Sequence, residues 1–388
     1  MTTASSAGNY MLRMLLFAAF LTAVVFTHAS AQVPNSEYWK YMRTITPEGY
    51  VCSRATGPIK IDGRMDERSW KAAPWTNTFV DIEGARKPIP RFKTRAKMIW
   101  DDTYFYVAAE LEEPHVWGTI LFRDQVVCLE NDFEIFIDPN SDSHEYYEIE
   151  LAPMNVLWDL YLITAYKDMT EGMLPDQAWN LNGMKSAVWV NGTINDPRDT
   201  DQGWSVEFAI PWSELAQKAH RPSPPKNGDT WRVNFSRVEY VFDIVTSDRT
   251  TPDLKNNAYK LREGIPCDNW VWSPQGVCNM HSPEMFGYVQ FSTAAPGKDT
   301  YRPDLLIEAR RVLHDIYYAQ RDFHAKNKNW AGTLTDLGLD YTGNAALTGQ
   351  PIIETTAKGY TAHLTVVLPG GKSKKMSIRQ DARVDVTE

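Results

Sequence analysis

The chain has 388 residues, a net charge of −9 and 14 tryptophans, and 43% of its side chains are hydrophobic. From Tyr301 onward 12 Lys and Arg stand against 10 Asp and Glu, so the acidic excess lies in the first 300 residues. An acidic main body excludes nucleic acid as a partner, because phosphates demand a basic face, and the apolar content is ample for a large core.

Leu15 to Phe26 is an apolar run preceded by Arg13 and followed by Ala29-Ser30-Ala31, the pattern of a secretory signal with an A-x-A cleavage site. A membrane-spanning helix takes about 20 apolar residues, and neither this run nor any other is that long. The expectation is that residues 1–31 leave and the chain is exported without a transmembrane segment, to the periplasm, the cell surface or the medium. Residues 32–57 form an N-terminal extension.

From Pro58 to Phe291 the hydrophobic period is two, which predicts strands. Ala96 to Trp100 and Thr103 to Leu111 read as a hairpin turned by Asp101-Asp102, and Asp132 to Ile137 and Tyr146 to Leu151 as a second around Asp138-Pro-Asn-Ser-Asp-Ser143. Further strands are expected at 159–166, 187–191, 204–210, 231–241 and 287–291, with one helical turn at 211–215. Many short strands broken by turn residues mean a mainly β fold, an immunoglobulin-like or jelly-roll antiparallel β-sandwich over residues 58–293.

Residues 294–302 read as a linker. Beyond it Arg302 to Lys326 has helical periodicity, with Pro303 near its start, and alternation returns at 360–368 and 376–386. Residues 303–388 therefore form a small helix-plus-sheet module, a place for a protein partner. Its order is faintly similar to the globular part of type IV pilin-like proteins.

Signatures of catalysis are absent: there is no G-x-S-x-G, H-E-x-x-H, Walker loop or G-x-G-x-x-G. The paired carboxylates Asp132/Glu134 and Glu148/Glu150 share a strand face side by side, whereas a glycosidase needs carboxylates flanking a bond from two sides. Asp138, Asn140 and Asp142 place oxygen ligands at alternate positions, the start of a calcium-loop pattern without its glycine and distal glutamate. The four cysteines leave two arrangements open, a local Cys267–Cys278 disulfide or buried free thiols. Tryptophans stack on the apolar faces of sugars. Trp158, Trp179 and Trp272 lie in or beside loops and are the candidates, while Trp100, Trp189, Trp204 and Trp231 lie within strands and are assigned to packing.

Ile61-Asp-Gly63 with Asp66-Glu67 and Trp70, the Trp100 to Val107 hairpin, Asn131 to Asp138, Gly203 to Glu207 with Ile210-Pro-Trp212, and Trp231 to Phe235 occur in order. Together they resemble the family 9 carbohydrate-binding module. The resemblance implies a β-sandwich that binds sugars, associated with enzymes acting on O-glycosyl bonds, and structural calcium. It also implies two clamping tryptophans at positions that here read Leu129 and Met280, and an arginine where Glu150 stands. The expected function is non-catalytic carbohydrate recognition through Glu134, Glu150, Trp158, Trp179 and Trp272. Two alternatives stand beside it: a haem-binding sandwich with Met154, Met280 and His281 as axial ligands, and a structural surface protein.

Overall fold

The structure, a computed structural model, describes residues 32–169, 175–176, 178–244 and 259–387. The segment read as an export signal lies outside them. Among the described residues no helix is long and apolar enough to cross a membrane.

The chain is mainly β. Its strands in order are β1 (Gly49–Arg54), β2 (Val80–Asp81), β3 (Thr94–Trp100), β4 (Tyr104–Leu111), β5 (Asp132–Asp138), β6 (His144–Leu151), β7 (Leu157–Thr164), β8 (Lys185–Asn191), β9 (Gly203–Pro211), β10 (Thr230–Glu239), β11 (Phe242–Ile244), β12 (Tyr259–Leu261), β13 (Asp268–Val271) and β14 (Gly287–Ser292), then β15 (Ile352–Thr355), β16 (Tyr360–Val367), β17 (Ser373–Arg379) and β18 (Val384–Thr387). The helices are α1 (Ser36–Met42), α2 (Arg68–Ala72), α3 (Trp212–Ala216) and α4 (Ile307–Asn327).

One continuous path, β7-β6-β5-β10-β14-β1-β3-β4-β9-β8, forms both layers of the sandwich, and β13 and β2 extend it from β10. The path folds over so that Phe133 on β5 meets Phe208 on β9, ring centroids 6.2 Å apart. Alternation makes this possible, because successive strand residues point to opposite faces. Phe133, Ile135, Ile137, Tyr147, Ile149 and Leu151 enter the shared core, and their neighbours in sequence do not. At one end Trp212 meets Trp100, Trp231 and Phe291 edge to face at 5.5 to 6.4 Å, contacts worth about 0.5–1.5 kcal/mol each beyond burial.

The sheet is not purely antiparallel. Gly49–Arg54, from the segment read as an extension, runs parallel to β14 on one side and to β3 on the other. Ile61-Asp-Gly63 and Trp70 also find a partner: Glu207 Oε2 accepts the Asp62 and Gly63 N–H groups at 3.0 and 2.7 Å, and Oε1 accepts Trp70 Nε1–H at 2.7 Å. Gly63 adopts φ +82°, and a Cβ there would meet the Trp189 nitrogen at 2.5 Å.

In the C-terminal module α4 packs on the antiparallel sheet β15-β16-β17-β18. The helix starts at Ile307, five residues later than its periodicity suggests, because Asp304 turns back to accept the Leu306 N–H at 2.9 Å and Arg310 Nε–H at 3.2 Å. Helix α1, capped by Asn35, lies on α4 with Trp39 stacked on Tyr318 at 5.1 Å. The module is tied to the sandwich by polar contacts as well. Arg321 of α4 pairs with Asp168 of the sandwich at 2.8 Å, and Glu284, itself held by Lys167 within the sandwich at 2.7 and 2.9 Å, faces the same helix. The Tyr317 and Tyr318 hydroxyls donate to Asp168 and Glu284.

All four cysteines are free thiols, so the Cys267–Cys278 disulfide is not formed. Burial pushes these two thiols up, to about 12 and about 11, which keeps both protonated at neutral pH.

Candidate functional site

Strands β5, β6, β7 and β10 carry the predicted carboxylates. Their register sets Glu134 opposite Glu150, Glu150 opposite Trp158, and Ser236 opposite Glu134. Asp132, Glu134, Glu148, Glu150 and Trp158 thus share the face turned away from the main core. That face does not meet water. A second apolar cluster covers it, drawn from Val126, Val127, Phe286 and, at its edge, Leu129, Met154, Tyr166 and Met280. The four carboxylates are 0 to 4% exposed.

Desolvation, and then repulsion among the acids, pushes Asp132, Glu148 and Glu150 well above the ordinary carboxylate range. Burial raises Glu134 to about 7. Glu150 Oε2 accepts the Cys128 N–H at 3.0 Å and Asp132 Oδ1 the Val238 N–H at 3.3 Å. Nearby, desolvation and then the Lys167 charge lower His281 to about 3, so its ring is neutral.

Of the five predicted ligand residues, the structure brings three together and separates two. Trp179 lies on the opposite face among Tyr147 and Tyr161, at 5.1 and 6.2 Å. Trp272 is in the main core, 5.7 Å from Phe235 and edge-on to Tyr50 at 6.5 Å. Neither ring can present a face to a sugar. Their loop positions misled because both side chains turn into the main core.

The Asp138-Asn140-Asp142 turn does not fit a calcium loop. Asp138 accepts the Ser141 and Ser143 N–H groups at 2.8 and 3.0 Å, one on each oxygen. Asp142 Oδ1 accepts the His144 N–H at 2.9 Å, and Oδ2 faces Arg383 at 3.3 Å. The Asp142 carbonyl accepts the Val384 N–H at 3.0 Å, which makes the turn a seat for the C-terminal sheet. The residues named as axial ligands are also engaged with protein. His281 Nδ1 is 2.8 Å from the Tyr146 hydroxyl, Met280 Sδ accepts from Gln275 at 3.2 Å, and Met154 Sδ from Asn195 at 3.9 Å.

An open site lies elsewhere. On the outer face of β3-β4-β9-β8 the register sets Arg95 opposite Glu110, Glu110 opposite Ser205, and Ser205 opposite Trp189. The row spans three strand spacings, about 14 Å, and floors a groove of about 520 Å³ whose rim includes Arg64, Asn191 and Gln202. Glu110 Oε2 accepts from Arg95 Nε and Nη2 at 3.1 and 2.8 Å, and the Arg95 guanidinium lies 3.9 Å from the Trp75 ring. Trp189 is half-buried, with Arg64 5.0 Å above its ring. Its assignment to packing is therefore incomplete. Position on β8, the last strand of the path, exposes its outer face; Trp100, Trp204 and Trp231 are buried as expected. A half-exposed indole beside a fixed guanidinium–carboxylate pair and two amides offers both a stacking surface and hydroxyl partners.

Residues 61–229 match the family described as carbohydrate family 9 binding domain-like. The chain is 29% identical over 191 residues to exoglucanase XynX of Acetivibrio thermocellus, which covers 48% of this chain and 14% of that protein. It is 33% identical over 163 residues to endo-1,4-beta-xylanase C of Paenibacillus barcinonensis, 42% of this chain and 12% of that protein. The chain thus spans a small part of the curated relatives it matches. Among solved structures, a family 9 carbohydrate-binding module from Caldicellulosiruptor kristjanssonii in complex with cellotriose aligns over 66% of this chain and 100% of its own, at 13% identity and a TM-score of 0.40. A putative carbohydrate-binding protein from Bacteroides uniformis aligns over 64% and 100%, at 15% identity and a TM-score of 0.45.

Proposed function

We propose, from the match of residues 61–229 to the carbohydrate family 9 binding domain-like family, that this protein is an exported, non-catalytic carbohydrate-binding protein whose sugar-contacting surface is the groove floored by Arg95, Glu110, Ser205 and Trp189. The family match is the observation that carries the reading. Every residue lining the groove falls between Arg64 and Ser205, within the matched residues 61–229, which supports this choice of surface. Export is supported by the Leu15–Phe26 apolar run and the Ala29-Ser30-Ala31 site. A plant-polysaccharide ligand is supported by the names of the relatives, two of which are xylanases and one an exoglucanase.

The groove suits a glycan chain rather than a compact small molecule. It is open along its length and mixes one aromatic face with charged and amide groups, as an oligosaccharide with apolar ring faces and a hydroxyl periphery requires. The buried carboxylates Glu134 and Glu150 with Trp158 lie beneath the second apolar cluster and take no direct part in this reading.

Titration calorimetry with cello- and xylo-oligosaccharides checks it. Trp189→Ala is expected to weaken binding about tenfold or more, equivalent to ~1.4 kcal/mol, with the melting temperature nearly unchanged. Unaltered affinity in Trp189→Ala would remove the groove from consideration.

A further inference from the structure

We propose that Asp132, Glu134 and Glu150 together hold a divalent, oxygen-preferring metal ion of the calcium class, at a site separate from both the sugar groove and the Asp138–Asp142 turn. One oxygen from each of the three carboxylates lies within 4.8 Å of the other two. Calcium takes oxygen ligands at about 2.3–2.6 Å, so two ligands on opposite sides of one ion stand about 4.6–5.2 Å apart. The three oxygens therefore fit within a single coordination shell without rearrangement of the strands. Their positions are fixed by neighbouring register pairs rather than by a loop, since Glu134 is opposite Glu150, and Val238, the partner of Asp132, is two residues from the partner of Glu134.

A second observation points to a ligand there. Asp132 is completely buried, and its Oδ2 has no hydrogen-bond partner. A buried carboxylate oxygen without a donor is strongly unfavourable unless a proton or a cation serves it. The carboxyl of Glu148, on the same face, has an unpartnered Oε2 as well. Among the described residues, no lysine or arginine forms an ion pair with Asp132, Glu134 or Glu150. The nearest basic ring, His281, reaches only Glu148, at 3.7 Å. Three acids crowded in a low-dielectric pocket repel one another, and a divalent ion relieves most of that repulsion. All three donors are carboxylate oxygens, which favours calcium, manganese or magnesium over softer ions. Magnesium retains several waters and demands octahedral geometry, so the dry, crowded pocket favours calcium.

Trp158 sits opposite Glu150 on β7, which provides a direct spectroscopic probe. The full chain is stripped with a chelator and titrated at neutral pH, without sugar, with Ca²⁺ by calorimetry and with Tb³⁺ by sensitised emission. One equivalent of ion is expected to bind. Trp158→Phe is expected to reduce the Tb³⁺ emission severalfold while leaving Ca²⁺ binding in place. Glu134→Gln with Glu150→Gln is expected to weaken Ca²⁺ binding at least a hundredfold, yet to melt no lower than the metal-free parent because it removes mutual repulsion. Asp138→Asn and Trp189→Ala are expected to bind Ca²⁺ as the parent does. Failure of the stripped parent to bind either ion overturns the proposal and leaves the acids held by protons. Retention of parental affinity in the double variant, or its loss in Asp138→Asn, overturns it by placing the ion elsewhere. Should the double variant not fold, Asp132→Asn, which keeps both glutamates, must still lower Ca²⁺ affinity at least tenfold. Sugar binding by the Trp189 groove is read in a separate titration, so each idea fails alone.

Discussion

Trp272→Ala is expected to destabilise the folded chain by about 3–5 kcal/mol, the range for truncating a buried tryptophan, and to leave the sugar affinity of the folded fraction unchanged. The ring is 2% exposed and closes the sandwich between Tyr50 and Phe235. Its six-membered edge lies over Gly287, where a Cβ would stand 2.6 Å from Trp272 Cζ3. The glycine is there to admit the indole. Removal of the ring leaves a cavity between β13 and β14 that rigid strands on both sides cannot collapse into. Denaturant unfolding followed by fluorescence measures the loss; a change under 1 kcal/mol, or an affinity loss without a stability loss, would return Trp272 to the ligand surface. Trp189→Ala, at the proposed sugar groove, should show the reverse pattern, a loss of affinity with stability nearly unchanged.

Lys167→Ala should be nearly as costly, at about 3–5 kcal/mol, because it strands a buried carboxylate. The Lys167 and Glu284 side chains are 0 and 1% exposed. Desolvation works to raise the Glu284 carboxyl, yet the Lys167 charge with its hydrogen bonds overrides this and holds the group down at about 2. The unfolded chain has an ordinary carboxyl of about 4.5 at this position. A folded value below the unfolded one stabilises the fold at pH above about 4.5, and this contribution fades as the pH falls from there towards 2. The shift corresponds to roughly 3 kcal/mol at neutral pH. Other buried acids titrate in the opposite sense, so the diagnostic is the difference between the parent and Glu284→Gln. Their unfolding free energies should converge as the pH drops below about 4, and a constant difference from pH 7 to 3 contradicts the assignment. The paired replacement Lys167→Met with Glu284→Leu should recover much of the loss, since apolar substitutes for a buried ion pair often cost little.

Much of the sandwich was legible in the sequence because each strand places alternate residues in an apolar core. The strands expected at Asp132 to Ile137 and Tyr146 to Leu151 read correctly for that reason, the observed ones being Asp132–Asp138 and His144–Leu151, as did the β3–β4 hairpin, whose turn is set by Asp101 accepting the Thr103 and Tyr104 N–H groups. What stayed hidden depends on partners far away in the chain. Gly49–Arg54 has no strong alternation, and its strand character comes from the two edges that receive it. The carboxylates of β5 and β6 look solvent-facing, since alternation is silent about whether a second layer of loops covers the polar side; Val126, Met280 and Phe286 provide that layer. The same blindness affected tryptophan. Trp272 has loop neighbours but core surroundings, while Trp189 sits mid-strand beside a groove that only the β3-β4-β9-β8 register creates.

The parallel insertion of β1 bears on the order in which the protein acquires its structure. Gly49 pairs with Tyr288 and Ser53 with Ser292, among the most widely separated partners in the sandwich. Chain emerging during synthesis can build the β3–β4 hairpin early, but the slot beside β3 is completed only when β14 arrives to flank β1. Until then β3 shows an unpaired edge, the sort of surface that invites intermolecular strand pairing. Contacts so distant in sequence also slow folding, because the loop must close before they reward it. Truncation before residue 287 would therefore leave an aggregation-prone nascent sheet rather than a smaller stable domain, and a family match that ends at residue 229 does not mark a cutting point for an autonomous fragment.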